Sequence, residues 1–238
     1  MNLKTKTIIA HRGASALVKF ENTMEAFNKA IELGAPVMEF DVRITKDNIM
    51  ISYHDDSITS GKKIKELTYE EIQVHANSKG FSIPKVEDIL RISKDRIMLD
   101  IELKESGYEK EVIKLVKKYL KYDEFVMKSF LDEVIITIKK TDANIRTGLL
   151  LGKGNTNTMS LTRISELFPL FRILKTRPDF ISPNYNLLKF GFISRMKLLD
   201  LPIWVWTVND EKLMKNLFSK GINGIITDRP DVGLKLIK

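Results

Sequence analysis

Cysteine is absent from this chain of 238 residues. A disulfide-stapled scaffold, a thiolate zinc site, a cysteine nucleophile and an iron–sulfur centre each need a sulfur that is not there. Long apolar runs are missing too. No stretch approaches the roughly 18–20 residues that cross a bilayer, and the most hydrophobic late stretch is interrupted by Lys189, Arg195, Lys197 and Asp200. The first apolar run, Thr7-Ile8-Ile9-Ala10, is shorter than a signal-peptide core, so a cytoplasmic location is expected. With no Gly/Ser/Pro-rich linker, low-complexity tract or obvious internal repeat, residues 1–238 read as one domain.

Positive charge is in surplus, 39 Lys and Arg against 31 Asp and Glu. Such a surplus can mark a nucleic-acid or anionic-lipid binder. Here the lysines fall in short clusters (Lys62-Lys63, Lys117-Lys118, Lys139-Lys140) beside acidic residues. Solvated helix faces account for them, and no nucleic-acid partner is expected.

Short Ile- and Val-rich runs alternate with segments of helical periodicity from one end of the chain to the other. This rhythm implies a parallel α/β sheet. The strand candidates are Thr7–Ala10, Val37–Val42, Ile97–Leu103, Val126–Phe130, Arg146–Leu151, Phe180–Tyr185, Ile203–Val208 and Gly224–Asp228, with a further short run at Ile49–Tyr53. Between them, Asn22–Leu33 places Met24, Phe27 and Ile31 on one helical face before Gly34, and Tyr108–Lys121 does the same with Val112, Leu115, Val116 and Tyr119. Eight βα units in this length match a single-domain (β/α)8 TIM barrel. A doubly wound open sheet is the alternative, because strand count does not show closure. Ile49–Lys85, chiefly residues 55–85, reads as a short insertion-like segment after the second strand.

A parallel barrel builds its active site at the C-terminal ends of its strands. Four clusters of polar residues fall there. His11-Arg12-Gly13 joins a proton carrier, a planar phosphate-binding fork and a residue that turns tightly. Glu39 and Asp41, two apart in a strand, share a face and repel each other, which calls for a shared hard cation such as Mg2+ or Ca2+; ion pairing with Arg12 or Arg43 is the alternative. Asp100, Glu102 and Lys104 also share a face, and inward charges must be paired or metal-bound. Glu102 suits a third ligand and Lys104 an anion contact, while Asp100 lies deeper and suits a structural pairing. His54, in Tyr53-His54-Asp55, would give His11 an acid–base partner, whereas His75 reads as an exposed helix residue. The sum fits metal-assisted attack on a phosphoester.

The ordered motifs Ile9-Ala10-His11-Arg12-Gly13-Ala14, Glu21-Asn22-Thr23, Glu39-Phe40-Asp41-Val42, His54-Asp55, Leu99-Asp100-Ile101-Glu102-Leu103-Lys104, Ser129-Phe130, Trp206-Thr207-Val208-Asn209 and Gly224-Ile225-Ile226-Thr227-Asp228-Arg229-Pro230 run along nearly the whole chain. Together they resemble the glycerophosphodiester phosphodiesterase family of (β/α)8 barrels. The resemblance implies a divalent metal, Mg2+ or Ca2+, on Glu39, Asp41 and Glu102, acid–base catalysis by His11 and His54, and phosphate contacts from Arg12 and Lys104. It implies a small-molecule glycerophosphodiester substrate, such as glycerophosphocholine or glycerophosphoethanolamine. In the family's usual mechanism the glycerol 2-hydroxyl attacks phosphorus, the alcohol leaves, and the cyclic phosphate is hydrolysed to glycerol 3-phosphate.

Trp206 suits either an apolar wall for the glycerol or a core position, and Asp228 suits fixing the eighth strand–helix turn. The chain departs from the family pattern in carrying Phe20 where proline is frequent and a shorter run, Asp55 to Lys63, after His54. The second departure bears on alcohol selectivity. Two further readings are a lysophospholipase D-like enzyme acting on lysophospholipids and a non-catalytic binder of anionic head groups or nucleic acid. Loss of a ligand or histidine would mark the latter, and none is lost.

Overall fold

The computed structural model describes residues 2–58, 61–153 and 161–237. Its sheet contains β1 (Thr7–Ala10), β2 (Val37–Ile44), β3 (Met50–Ser52), β4 (Met98–Leu103), β5 (Phe125–Ser129), β6 (Thr147–Leu151), β7 (Phe180–Pro183), β8 (Trp204–Val205) and β9 (Gly224–Thr227). All but β3 are parallel and follow the order β7-β6-β5-β4-β2-β1-β9-β8. Bridges Ile181–Ile203 and Asn184–Trp206 bring β7 to β8 and complete the ring. The fold is therefore a single-domain (β/α)8 barrel, not an open doubly wound sheet.

Side-chain alternation sorts the barrel into layers. Ile9, Val37, Met98, Val126, Phe180, Trp204 and Ile226 form an apolar floor inside the ring. Their strand neighbours Ile8, Ala10, Met38, Leu99 and Met127 point outward into the helix-covered core. Trp204 packs at a tilt against Phe180 with 4.6 Å between centroids, and a Cβ on Gly224 would lie 2.6 Å from its indole, so glycine makes room for the plug. Above this floor the same inward positions become Glu39, Asp100 and Lys128, and then Asp41 and Glu102. The ladder sets Glu39 beside Asp100 and Asp41 beside Glu102.

The run read as Ile203–Val208 yields only the two-residue β8, and the bridges on either side carry the rest of its pairing. The remaining strands lie within a residue or two of their expected ends. The segment after β2 turns back as β3, antiparallel to β2, and continues through the helix Tyr69–Ser78. Ile51, Ile58, Ile64, Leu67, Ile72, Ala76 and Ile83 give it a small core of its own. His75 lies on that helix, half-buried rather than exposed. Among the described residues no helix is long and apolar enough to cross a membrane.

Candidate active site

The chain leaves β1 through a tight turn that sets His11 and Arg12 over the barrel mouth. Gly13 is fixed there because its φ is +80° and a Cβ would lie 2.5 Å from the Ala26 backbone. Arg12 adopts a left-handed φ of 52°, which aims both its backbone N–H and its guanidinium at acids. The N–H donates to Glu39 Oε2 at 3.0 Å, Nη1 pairs with Glu21 at 2.6 Å, and Nε lies 3.3 Å from Asp41.

Thr23 caps the following helix, Met24–Glu32, by accepting from Ala26 N–H at 3.3 Å. Asn22, also left-handed, is thereby turned inward. Its amide donates to Asp41 Oδ2 at 2.7 Å and its carbonyl accepts from Ser52 at 2.9 Å.

Glu39, Asp41 and Glu102 are buried and each offers an oxygen within 4.8 Å of the others. Lys104 reaches Asp41 Oδ1 at 2.8 Å and pairs with Glu102. Below them Lys128, fully buried, donates to Asp100 at 2.7 Å and lies 3.4 Å from Glu39. Asp100 thus has the structural partner expected of it. Of the two arginines weighed as partners for Glu39 and Asp41, only Arg12 approaches them. Arg43 instead pairs with Glu105 and donates to the His54 carbonyl at 3.1 and 2.8 Å, which holds the His54 loop against β2.

Burial dominates the electrostatics and is overruled in places. It would raise the Asp41 carboxyl, but Lys104, Arg12 and nearby His54 outweigh it and hold Asp41 well below the usual carboxylate range. Burial would lower Lys104 and Lys128, yet Glu102 and Asp41 raise the first, and Asp100, Glu39 and Glu102 the second. For Asp100 burial prevails over Lys128, helped by Glu39 and Glu102, and its carboxyl is pushed up to about 6.

Four carboxylates, Glu39, Asp41, Asp100 and Glu102, thus share the fixed cations Arg12, Lys104 and Lys128. Asp41 Oδ1 has Lys104 close by without an aligned hydrogen bond. Excess carboxylate with three converging oxygens is the donor set of a hard divalent cation.

His11 and His54 line one cleft of about 720 Å3 with Arg12, Glu39, Glu102, Lys104 and Trp206. His54 is the more open, and its Nδ1 lies 2.8 Å from Asp55. His11 Nδ1 lies 2.6 Å from Asp228 Oδ1, while Nε2 is 4.0 Å from Glu39. Asp228 also accepts from Ser15 at 3.0 Å and from Asn209 at 2.7 Å. Burial works against its charge, but the His11 contact and these donors bring its carboxyl down to about 2. Trp206 donates to Ser182 O at 2.8 Å and meets Phe130 edge-on at 5.7 Å, which places it in the cleft wall; Trp204 holds the core position.

The model of the glycerophosphoryl diester phosphodiesterase family matches residues 11–232. The chain belongs to that family. That membership makes it an enzyme, a phosphoric diester hydrolase. It is 29% identical to a glycerophosphodiester phosphodiesterase of Caldanaerobacter subterraneus over 97% of both chains. It is 25% identical to the mouse lysophospholipase D GDPD1, covering 93% of this chain and 83% of that one. The crystal structure of a glycerophosphodiester phosphodiesterase from Parabacteroides distasonis matches with a TM-score of 0.81 at 25% identity, over 98% of this chain and 97% of the other.

Lys128, Asn22 and the Asp228 contact to His11 were not singled out from the sequence. A lone lysine inside the apolar run Phe125–Ser129 was the available signal for the first.

Proposed function

We propose that this enzyme hydrolyses glycerophosphodiesters such as glycerophosphocholine or glycerophosphoethanolamine to glycerol 3-phosphate and an alcohol. The convergence of His11, His54, Arg12, Lys104 and a carboxylate triad on one cleft carries the reading. Glu39, Asp41 and Glu102 would hold Mg2+ or Ca2+, which when bound neutralises phosphoryl charge and acidifies an oxygen. Arg12 and Lys104 orient the phosphate oxygens.

Ionised Asp228 keeps the His11 proton on Nδ1 and leaves Nε2 free to exchange a proton in the cleft. One histidine takes the proton of the glycerol 2-hydroxyl as that oxygen bonds to phosphorus, and the other protonates the departing alkoxide. The roles reverse when water opens the cyclic phosphate. Trp206 and Phe130 form an apolar wall for the glycerol. A coupled glycerol 3-phosphate assay on these diesters and glycerophosphoglycerol, with and without EDTA, tests this; no metal-dependent product from any of them would sink it.

A second reading retains the chemistry and changes the substrate to a lysophospholipid. The likeness to the mouse lysophospholipase D and the short run after His54 favour it. Lysophosphatidylcholine assayed beside its deacylated form separates the two.

A further inference from the structure

We propose that the face formed by the helices Leu161–Leu167 and Leu170–Thr176, beside the cleft, docks onto an anionic lipid bilayer. Each helix already buries one apolar side, through Leu167 and Ile173. A second apolar row stays exposed across the break at Phe168-Pro169: Ile164 and Phe168 at the end of the first helix, and Leu170, Phe171 and Leu174 on the second. Phe168 is 52% exposed, Phe171 78% and Leu174 66%. A row of that kind on the surface of a folded chain marks an interaction site.

The row flanks the opening of the cleft. Glu166 accepts from the N–H groups of Gly152 and Lys153 at 2.8 and 3.0 Å, and Arg172 donates to the Phe130 carbonyl at 2.9 Å. Gly152, Lys153 and Phe130 all line the cleft. The next loop, after β7, adds the exposed Lys189 and Phe190. Arg195 ties the two regions together, lying 4.4 Å from the Phe168 ring and donating to Leu167 O at 2.8 Å.

Charge decides the occupant. Residues 161–199 carry seven Lys and Arg against two Asp and Glu, whereas the rest of the chain carries 32 against 29. Both acids are engaged, Glu166 with Arg163 and Asp179 with Lys139, and Asp132 of the neighbouring helix pairs with Arg172 and Lys175, so the surplus rests on Arg177, Lys189, Arg195 and Lys197. The surplus that the whole sequence spreads thinly is concentrated around the apolar row. A second copy meeting this face through a two-fold axis would set the same cations against themselves. Anionic head groups over acyl chains complement both features, with aromatic rings at the boundary and lysines on the phosphates.

The inference stands apart from the choice of substrate, because surface binding is measured without turnover. Full-length protein is sedimented with vesicles of phosphatidylcholine alone and of equimolar phosphatidylglycerol and phosphatidylcholine. Binding to the anionic vesicles, weakening as salt is raised, is expected. F171S/L174S should bind about tenfold more weakly through lost apolar insertion, and K189E, at a lysine outside the described ion pairs, should fall about fivefold through lost head-group attraction. All of these substitutions are at exposed positions, so melting temperature and turnover of water-soluble glycerophosphocholine should stay unchanged. Three results overturn the proposal: no wild-type binding to anionic vesicles, equal binding by both variants, or a dimer in light scattering that F171S/L174S dissociates while vesicle binding is absent. Each of these leaves soluble-substrate turnover, and so the proposed activity, to stand or fall separately.

Discussion

His11 and Asp228 are separated by 217 positions in sequence and 2.6 Å in space. Closure of the ring makes them neighbours, because β1 pairs with β9 and the His11 N–H donates to Thr227 O at 2.9 Å. Asn209 holds Asp228 from the other side. The histidine is thereby oriented by the last strand of the barrel, and its proton is placed by a carboxylate that stays ionised.

Asp228→Asn tests this arrangement because it preserves shape and removes charge. Turnover should fall by on the order of 10²–10⁴, the loss seen when an orienting carboxylate is neutralised beside a catalytic histidine. Its pH signature has a definite sign. Asp228 has a folded-state pKa of about 2, below the ordinary value near 3.9. Its contribution to stability is therefore complete above pH ~4 and is lost as the pH falls through ~2. Denaturant unfolding should show the wild type ahead of the variant by up to about 2 kcal/mol at neutral pH, with the gap closing toward pH 2. A gap that widens on acidification contradicts the assignment.

The limits of the sequence reading follow from the same geometry. Glu39, Asp41 and Glu102 were legible because period-two alternation sets inward carboxylates against outward Met38, Phe40 and Ile101, a relation local to each strand. Asp228 had the right strand end, but its partner depends on ring closure, which no local pattern encodes. Arg43 shows the converse: it shares the inward face of Glu39 and Asp41, which suggested an ion pair, yet it lies higher in the mouth and reaches up to Glu105 and the His54 carbonyl instead. The two-residue β8 eluded the pattern because alternation, with Trp204 and Trp206 both inward, runs the length of Ile203–Val208, whereas continuous pairing with β9 covers only Trp204 and Val205 and isolated bridges to the β7 side hold the rest, a matter of neighbours that no local pattern encodes.

Metal binding should be visible without turnover. Added Mg2+ or Ca2+ at about 100 times its dissociation constant stabilises a single site by about 2.7 kcal/mol, or roughly 5–10 °C in Tm for a chain of this size. Glu39→Gln and Glu102→Gln should each lose most of that rise, while Glu105→Gln, outside the triad, should keep it. A rise that persists in both triad variants would place the ion elsewhere.

His11→Ala and His54→Ala should each reduce kcat by about 10²–10⁴, the usual contribution of a positioned acid or base. Thermal unfolding should hardly move for His54→Ala, whose ring is open, and should fall by about 4–8 °C at most for His11→Ala, which loses the Asp228 contact. Circular dichroism melts and steady-state rates on one preparation check both halves. A collapse of Tm in either variant would withdraw that histidine from the chemistry.

Lys128→Met asks what holds the charged layer beneath the cleft. The ammonium is buried between Asp100 and Glu39, so a methionine of similar length keeps the volume and removes the charge. Breaking one side of a buried ion pair costs about 3–5 kcal/mol, because the remaining charge has lost its counterpart. The loss should be largest for the single variant. Lys128→Met/Asp100→Leu removes both members and should regain much of the stability, since an apolar replacement of a whole buried pair is often near neutral. Glu39 then keeps the Arg12 N–H as its donor, so the triad should survive and Mg2+ should still raise Tm in the double variant. Denaturant unfolding of wild type, single and double variants forms the cycle. A single variant as stable as wild type would mean that Lys128 contributes packing alone, and that Asp100 is held neutral without it.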